Sequence, residues 1–190
     1  MPSLNSSFAD CLSCEIYGCP SCILETNAKT MDEVDVIIIA ENPGKTECEE
    51  GRPLVGKSGK IFRKHFENFG LHREKYLLTN VVLCQTIKPD GTTGNPTDET
   101  IEKCKVNCFN IIEACNPKLI VLMGTSPCKA FGFIQKGITI TKIRGTIHKW
   151  NDYNVLPMLH PSYILRSNSE EPKFEEDMKK VAEIIKGTPF

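Results

Sequence analysis

The sequence predicts an α/β fold in which a mainly parallel sheet is covered by helices on both faces. Two observations carry this. Short, predominantly apolar runs recur along the chain at Val36–Ala40, Tyr76–Leu83, Leu119–Met123 and Val155–Leu159. Runs of that length without polar alternation are strands buried on both sides. Between them lie segments with helical apolar spacing, and strands alternating with helices build parallel sheets. The 190 residues are expected to form a single domain, 1–190, whose first 33 residues are a cysteine-rich segment without apolar periodicity.

The first strand leaves at Glu41, Asn42, Pro43 and Gly44. A carboxylate and an amide at the carboxyl end of a buried strand sit where open α/β sheets place their ligands. The chain continues as Gly51-Arg52-Pro53-Leu54-Val55-Gly56, then Lys57, Ser58 and Gly59. Glycine turns and an arginine just before a helix suit a loop that approaches a phosphate backbone. Ile61, Phe62, Phe66 and Phe69 mark an amphipathic helix closed by Gly70.

The second strand carries polar Thr79 and Asn80, and residues 85–97 form a loop rich in Gly, Pro and Thr. Asp98 opens a helix with Ile101, Cys104, Cys108, Ile111, Ile112 and Cys115 on one face, ended by Pro117. The third strand exits at Gly124 into a short helix over about 126–131. Residues 138–150, ITITKIRGTIHKW, alternate and are basic, which predicts an exposed hairpin. The fourth strand runs into His160-Pro161-Ser162-Tyr163-Ile164-Leu165-Arg166, and a last helix presents Phe174, Met178, Val181 and Ile185 on one face.

A net charge of -1 provides no bulk attraction to nucleic acid, so any DNA contact must come from local clusters. No apolar run approaches the roughly 20 residues of a membrane span, and the N-terminus lacks a signal peptide's basic start and apolar core, so a cytoplasmic location is expected. Without secretion, ten cysteines point to metal binding rather than disulfides. Cys11-x2-Cys14 and Cys19-x2-Cys22 are two close pairs, compatible with zinc or with an iron–sulfur cluster. Cys108 and Cys115 share an apolar helix face and read as core thiols.

The segments AENPGKTECEEGRPLVG, TNVVLC, NPTDETIEKC, VLMG, ITKIRG and LHPSYILR, in that order over nearly the whole chain, resemble the family 4 uracil-DNA glycosylases, which carry an iron–sulfur cluster. Cys11-x2-Cys14-x-Ile16-Tyr17 resembles the start of one branch of that family. The resemblance implies a three-layer α/β/α sandwich with a central four-stranded parallel sheet. It also implies that a base is flipped into a pocket at the strand ends, since a stacked base keeps its glycosidic bond out of reach.

By the same resemblance Glu41 handles the attacking water or stabilises the sugar cation, with Asn42 a second candidate water holder. Asn80 reads the base edge and His160 hydrogen-bonds the pyrimidine O2. Glu47 lies near C5 of the base. Arg52, Lys57, Ser58, Ser162 and Arg166 meet phosphates, and Ile164 or Leu165 wedges into the stack. Cys11, Cys14, Cys84 and Cys104 hold a structural 4Fe-4S cluster, with Cys19 and Cys22 competing for the N-terminal places.

Two departures stand out. Asn42 replaces the family's usual alanine, as in the mismatch-specific branch of the superfamily. Leu54 replaces the phenylalanine that stacks on the flipped base, which argues for weaker uracil binding or a roomier pocket. The expected function is a monomeric, monofunctional DNA glycosylase acting on a pyrimidine, most simply uracil. The alternatives are excision of a bulky modified pyrimidine such as hypermodified cytosine in phage DNA, or a non-catalytic iron–sulfur or zinc protein that binds nucleic acid.

Overall fold

A computed structural model describes residues 11–186 apart from Cys22 and His72. Six strands form one sheet: β1 (Leu24–Thr26), β2 (Val36–Ala40), β3 (Tyr76–Asn80), β4 (Leu119–Met123), β5 (His148–Trp150) and β6 (Tyr153–Met158), in the order β1-β3-β2-β4-β6-β5. The four inner strands are parallel, and the three-residue strands β1 and β5 close the two edges antiparallel. Every residue of β2, β3 and β4 is buried, as strands covered on both faces require, including polar Thr79 and Asn80 at the end of β3. In register, Ala40 at the end of β2 lies beside Asn80 at the end of β3.

Seven α-helices complete the fold: α1 (Lys45–Glu50), α2 (Lys57–Asn68), α3 (Asp98–Cys115), α4 (Thr125–Ala130), α5 (Ile140–Ile143), α6 (Pro161–Arg166) and α7 (Glu171–Ile185). The two-residue period of β2 splits the core between the faces of the sheet. Val36 and Ile38 pack with Phe62 and Phe66 of α2 and Phe174 and Met178 of α7. Ile37 and Ile39 pack with Ile101, Ile111 and Ile112 of α3. Helix α3 starts where Thr97 accepts from the Thr100 amide, and it stops at Asn116 in the left-handed region, φ 47°, ahead of Pro117.

Four expectations are corrected. Residues 138–150 are not a hairpin: Ile140–Ile143 is helical, and strand pairing begins only at His148. Ile140 and Ile143, three residues apart, both pack on the α3 side of the core, and Gly145 (φ 69°) turns the chain with its amide on the Pro157 carbonyl. The segment before β2 is not all loop, since Leu24–Thr26 adds an edge strand. Helix α1 occupies what reads as loop. Strand β3 ends at Asn80, although the amides of Val81 and Val82 still donate to the carbonyls of Ala40 and Glu41. Among the described residues no helix is long and apolar enough to cross a membrane.

Candidate active site and thiol cavity

At the carboxyl ends of β2, β4 and β6 lies a cleft of about 480 Å³ whose walls include Glu41, Asn42, Ser126, His160, Ser162 and Arg166. The Glu41 carboxylate accepts a 2.5 Å hydrogen bond from Ser126 Oγ at the start of α4. The Asn42 amide donates to the Gly94 carbonyl at 3.3 Å, which ties it to the 85–97 loop. Gly124 has φ 97°, and a Cβ there would stand 3.3 Å from His160 Cβ, so glycine lets β4 leave directly beside the imidazole.

His160 caps α6. Its Nδ1 accepts from the Ser162 amide at 3.1 Å and lies 2.8 Å from Ser162 Oγ. A ring nitrogen that accepts from a backbone N–H carries no proton, so the neutral ring is protonated on Nε2. Burial, with Arg166 nearby, pushes the His160 pKa down to about 4. The imidazole is therefore a neutral Nε2–H donor around pH 7.

Polar side chains of β3 divide sharply. Thr79 Oγ1 donates to the Ile23 carbonyl at 2.6 Å. Asn80 is 3% exposed and its Nδ2 has no hydrogen-bond partner among the described residues, an arrangement that costs free energy unless something else accepts from it.

The rest of the β2–α2 loop faces elsewhere. Glu47 Oε1 accepts from the amides of Val55 and Gly56 at 3.1 and 2.8 Å, clasping the turn ahead of α2. Leu54 is buried in the core against α2 with φ 53°, and it does not line the cleft. Arg52 donates to Glu25 of β1 at 3.0 Å; Arg63 of α2 also pairs with Glu25 and donates to the carbonyls of Pro53 and Leu54. Lys57 is exposed on the first turn of α2 with Ser58 half-buried beside it. On α6 the two apolar candidates separate: Ile164 is 2% exposed and belongs to the core, which removes it as a wedge, whereas Leu165 is 48% exposed. Arg166 lies over the Tyr163 ring, 5.9 Å from its centroid. Sequence reasoning missed Ser126, whose only signal is a hydroxyl two residues beyond the β4 exit. It also missed Glu25 and Arg63, which carried none.

A second cavity, about 410 Å³, lies between the N-terminal segment, the exit of β3 and α3; Cys11, Cys14, Cys19, Cys84 and Cys104 all line it. The segment is fastened there. Ser21 bridges to Cys84, the Gln85 amide donates to the Pro20 carbonyl, and Glu15 accepts from the hydroxyls of Thr97 and Thr100. Burial first, then the neighbouring sulfurs of Cys104, Cys11, Cys14 and Cys19, push the Cys84 thiol up to about 11. Burial raises Cys104 as well, partly offset by the Leu83 amide and Asn107, with Cys11 and Cys14 adding to the rise. Thiols that oppose one another's ionisation are relieved by a shared cation, so this donor set fits a thiolate-bound metal. Cys108 instead donates to the Asn80 carbonyl at 3.1 Å, and Cys115 donates to Met31. Cys22 lies outside the described residues.

A profile of the uracil DNA glycosylase superfamily matches residues 29–186. The chain belongs to that superfamily. It is 33% identical over 175 residues to a type-4 uracil-DNA glycosylase of Thermotoga maritima, covering 89% of this chain and 88% of the relative. A type-4 uracil-DNA glycosylase of Sulfurisphaera tokodaii is 32% identical over 184 residues, covering 90% and 81%. A DNA polymerase of Bacillus phage SP01 matches at 27% identity over 80% of this chain but only 16% of its own length. As a DNA glycosylase, this protein acts on DNA and hydrolyses an N-glycosyl bond. The cleft is the cavity whose groups suit that chemistry: it sets a carboxylate, a neutral imidazole donor and an arginine at the ends of parallel strands.

Proposed function

We propose that this glycosylase excises uracil flipped out of DNA. The observation that carries the reading is Glu41, held by Ser126 and sharing one cleft with a neutral, Nε2-protonated His160. In this reading the Glu41 carboxylate orients a water and stabilises positive charge on the sugar as the C1′–N1 bond breaks. The bonding pair leaves with the base, and the charge collects at O2, where His160 Nε2–H donates to it. Water oxygen bonds to C1′ and its proton passes to the carboxylate, which releases it to solvent; the departing uracil anion takes up a proton from water, so the products are an abasic site and free uracil. Asn80 stands beside Ala40 at the strand ends but behind the cleft wall, and its unpaired amide supports a role in binding the base edge, since an acceptor on the base would satisfy it. Exposed Leu165 supports a wedge, and Lys57, Ser58, Ser162 and Arg166 support phosphate contacts.

Cys11, Cys14, Cys84 and Cys104 would hold the cluster, which supplies a structural tie between the N-terminal segment and α3. The influence of Cys11 and Cys14 on Cys104 favours that pair, although Cys19 also lines the cavity.

Leu54 lies in the core and outside the cleft lining, which favours uracil over a bulky pyrimidine. The test is single-turnover release from oligonucleotides containing uracil, 5-hydroxymethyluracil or glucosylated hydroxymethylcytosine. Rapid, uracil-selective release is expected, and DNA binding with no release would leave only a nucleic-acid-binding protein.

A further inference from the structure

We propose that the seam between α2 and α7 is a divalent transition-metal site formed by His65, Glu171 and Glu175, separate from both the cleft and the thiol cavity. His65 is 2% exposed, and its ring packs edge-on against Phe174 with centroids 5.4 Å apart. Glu171 and Glu175 are four residues apart on α7 and so project from the same face. Nε2 of His65 lies 3.3 Å from Glu171 Oε1, and Nδ1 lies 3.5 Å from Glu175 Oε1. Nε2 nonetheless has no hydrogen-bond partner among the described residues, because the approach of Glu171 lacks hydrogen-bond geometry. A buried ring nitrogen left unpaired is costly unless a ligand completes it.

The carboxylates are also uncompensated. Among the described residues their only charged contact is His65: Lys173 pairs with Glu170 and Lys179 with Glu183. One ligand atom from each of the three side chains lies within 4.8 Å of the others. An ion with bonds of about 2.1 Å to nitrogen and oxygen places neighbouring donors roughly 3.0–3.4 Å apart, and the Nε2–Glu171 distance of 3.3 Å falls in that range. Glu175 is exposed, so its side chain has room to turn toward an ion held by the other two. Imidazole with carboxylates suits zinc and its neighbours, whereas magnesium and calcium prefer oxygen alone. None of the three residues lines the cleft or the thiol cavity. The ion would clamp α7 onto α2 and so serve stability rather than catalysis.

The test uses full-length, cluster-loaded protein, washed with EDTA and titrated with zinc chloride alone, wild type beside Glu171→Gln/Glu175→Gln. Wild type should take up about one more zinc per chain than the double variant. Its Tm should rise by roughly 5 °C at saturating zinc while the variant's stays unchanged. Iron content, measured in the same samples, should remain constant, which separates this site from zinc capture by the cysteines. The variant replaces half-exposed or exposed carboxylates and leaves buried His65 in place, so the fold is retained. Equal zinc uptake and equal Tm response in the two proteins would overturn the assignment. A variant whose Tm differs from wild type without zinc, with no zinc effect on either protein, would likewise overturn it and show that the carboxylates serve only the imidazole.

Discussion

The loop from β2 to α2 has two halves, each with a glutamate followed within a few residues by glycine and proline or arginine, and the two are used in opposite ways. In the first half Glu41 spends one carboxylate oxygen on the Ser126 hydroxyl and faces the cleft. In the second half Glu47 turns inward, and its Oε1 holds the amides of Val55 and Gly56. Arg52 pairs with Glu25, and Leu54 is buried. A contiguous motif is thus divided between a half that faces the cleft and a half that holds the loop together, and what divides it is which polar partners the fold has already supplied.

The comparison breaks most readily at Glu41. Glu41→Gln should lower single-turnover excision by about 10³-fold, within the range of acid–base groups, while thermal unfolding stays close to wild type. A near-normal rate would move the role to Asn42.

The thiol cavity should respond in the other currency. Cys104→Ala and Cys84→Ala should lose iron and solubility together, since ligand binding is coupled to folding. Cys128→Ala, buried away from the cavity, should keep full iron content. Iron retained by Cys104→Ala would remove it from the ligand set.

Glu47→Ala is the mirror of the first variant. It strands two backbone amides and should cost roughly 1–3 kcal/mol of stability, read by urea unfolding, with excision falling only as far as the loop loosens. A fully stable variant with a large loss of rate would return Glu47 to the base pocket. Ser126→Ala should be milder, a fall of about tenfold in rate, because one hydroxyl bond to Glu41 is lost.

The smallest expected signal is in pH. His160 has its pKa depressed from 6.5 to about 4 in the folded protein. The unfolded chain therefore binds the proton first, and the stability contributed by the neutral ring is present in full above 6.5 and lost as pH falls towards 4. Excision should show no inflection near 6.5, and an NMR titration should find His160 still neutral at pH 5.5. Titration of its ring at 6.5 would contradict the burial.

Strands and helix limits were legible because their signals are local. Four apolar runs marked the parallel core, Asp98, Pro117 and Gly70 marked helix ends, and Glu41 and His160 stood out at strand exits. Residues 138–150 misled because a short run of alternating isoleucines serves a helical turn or a strand equally well, and only packing chose the turn. Ile164 and Leu165 are both apolar and about 100° apart on one helix, so composition cannot say which faces the core. The partners of Glu41, Glu47, Arg52 and Cys84 are set by tertiary structure alone: Ser126 is 85 residues from Glu41 and Glu25 is 27 from Arg52. Periodicity is written along the chain, whereas the satisfaction of a polar group depends on which distant atoms folding brings to it.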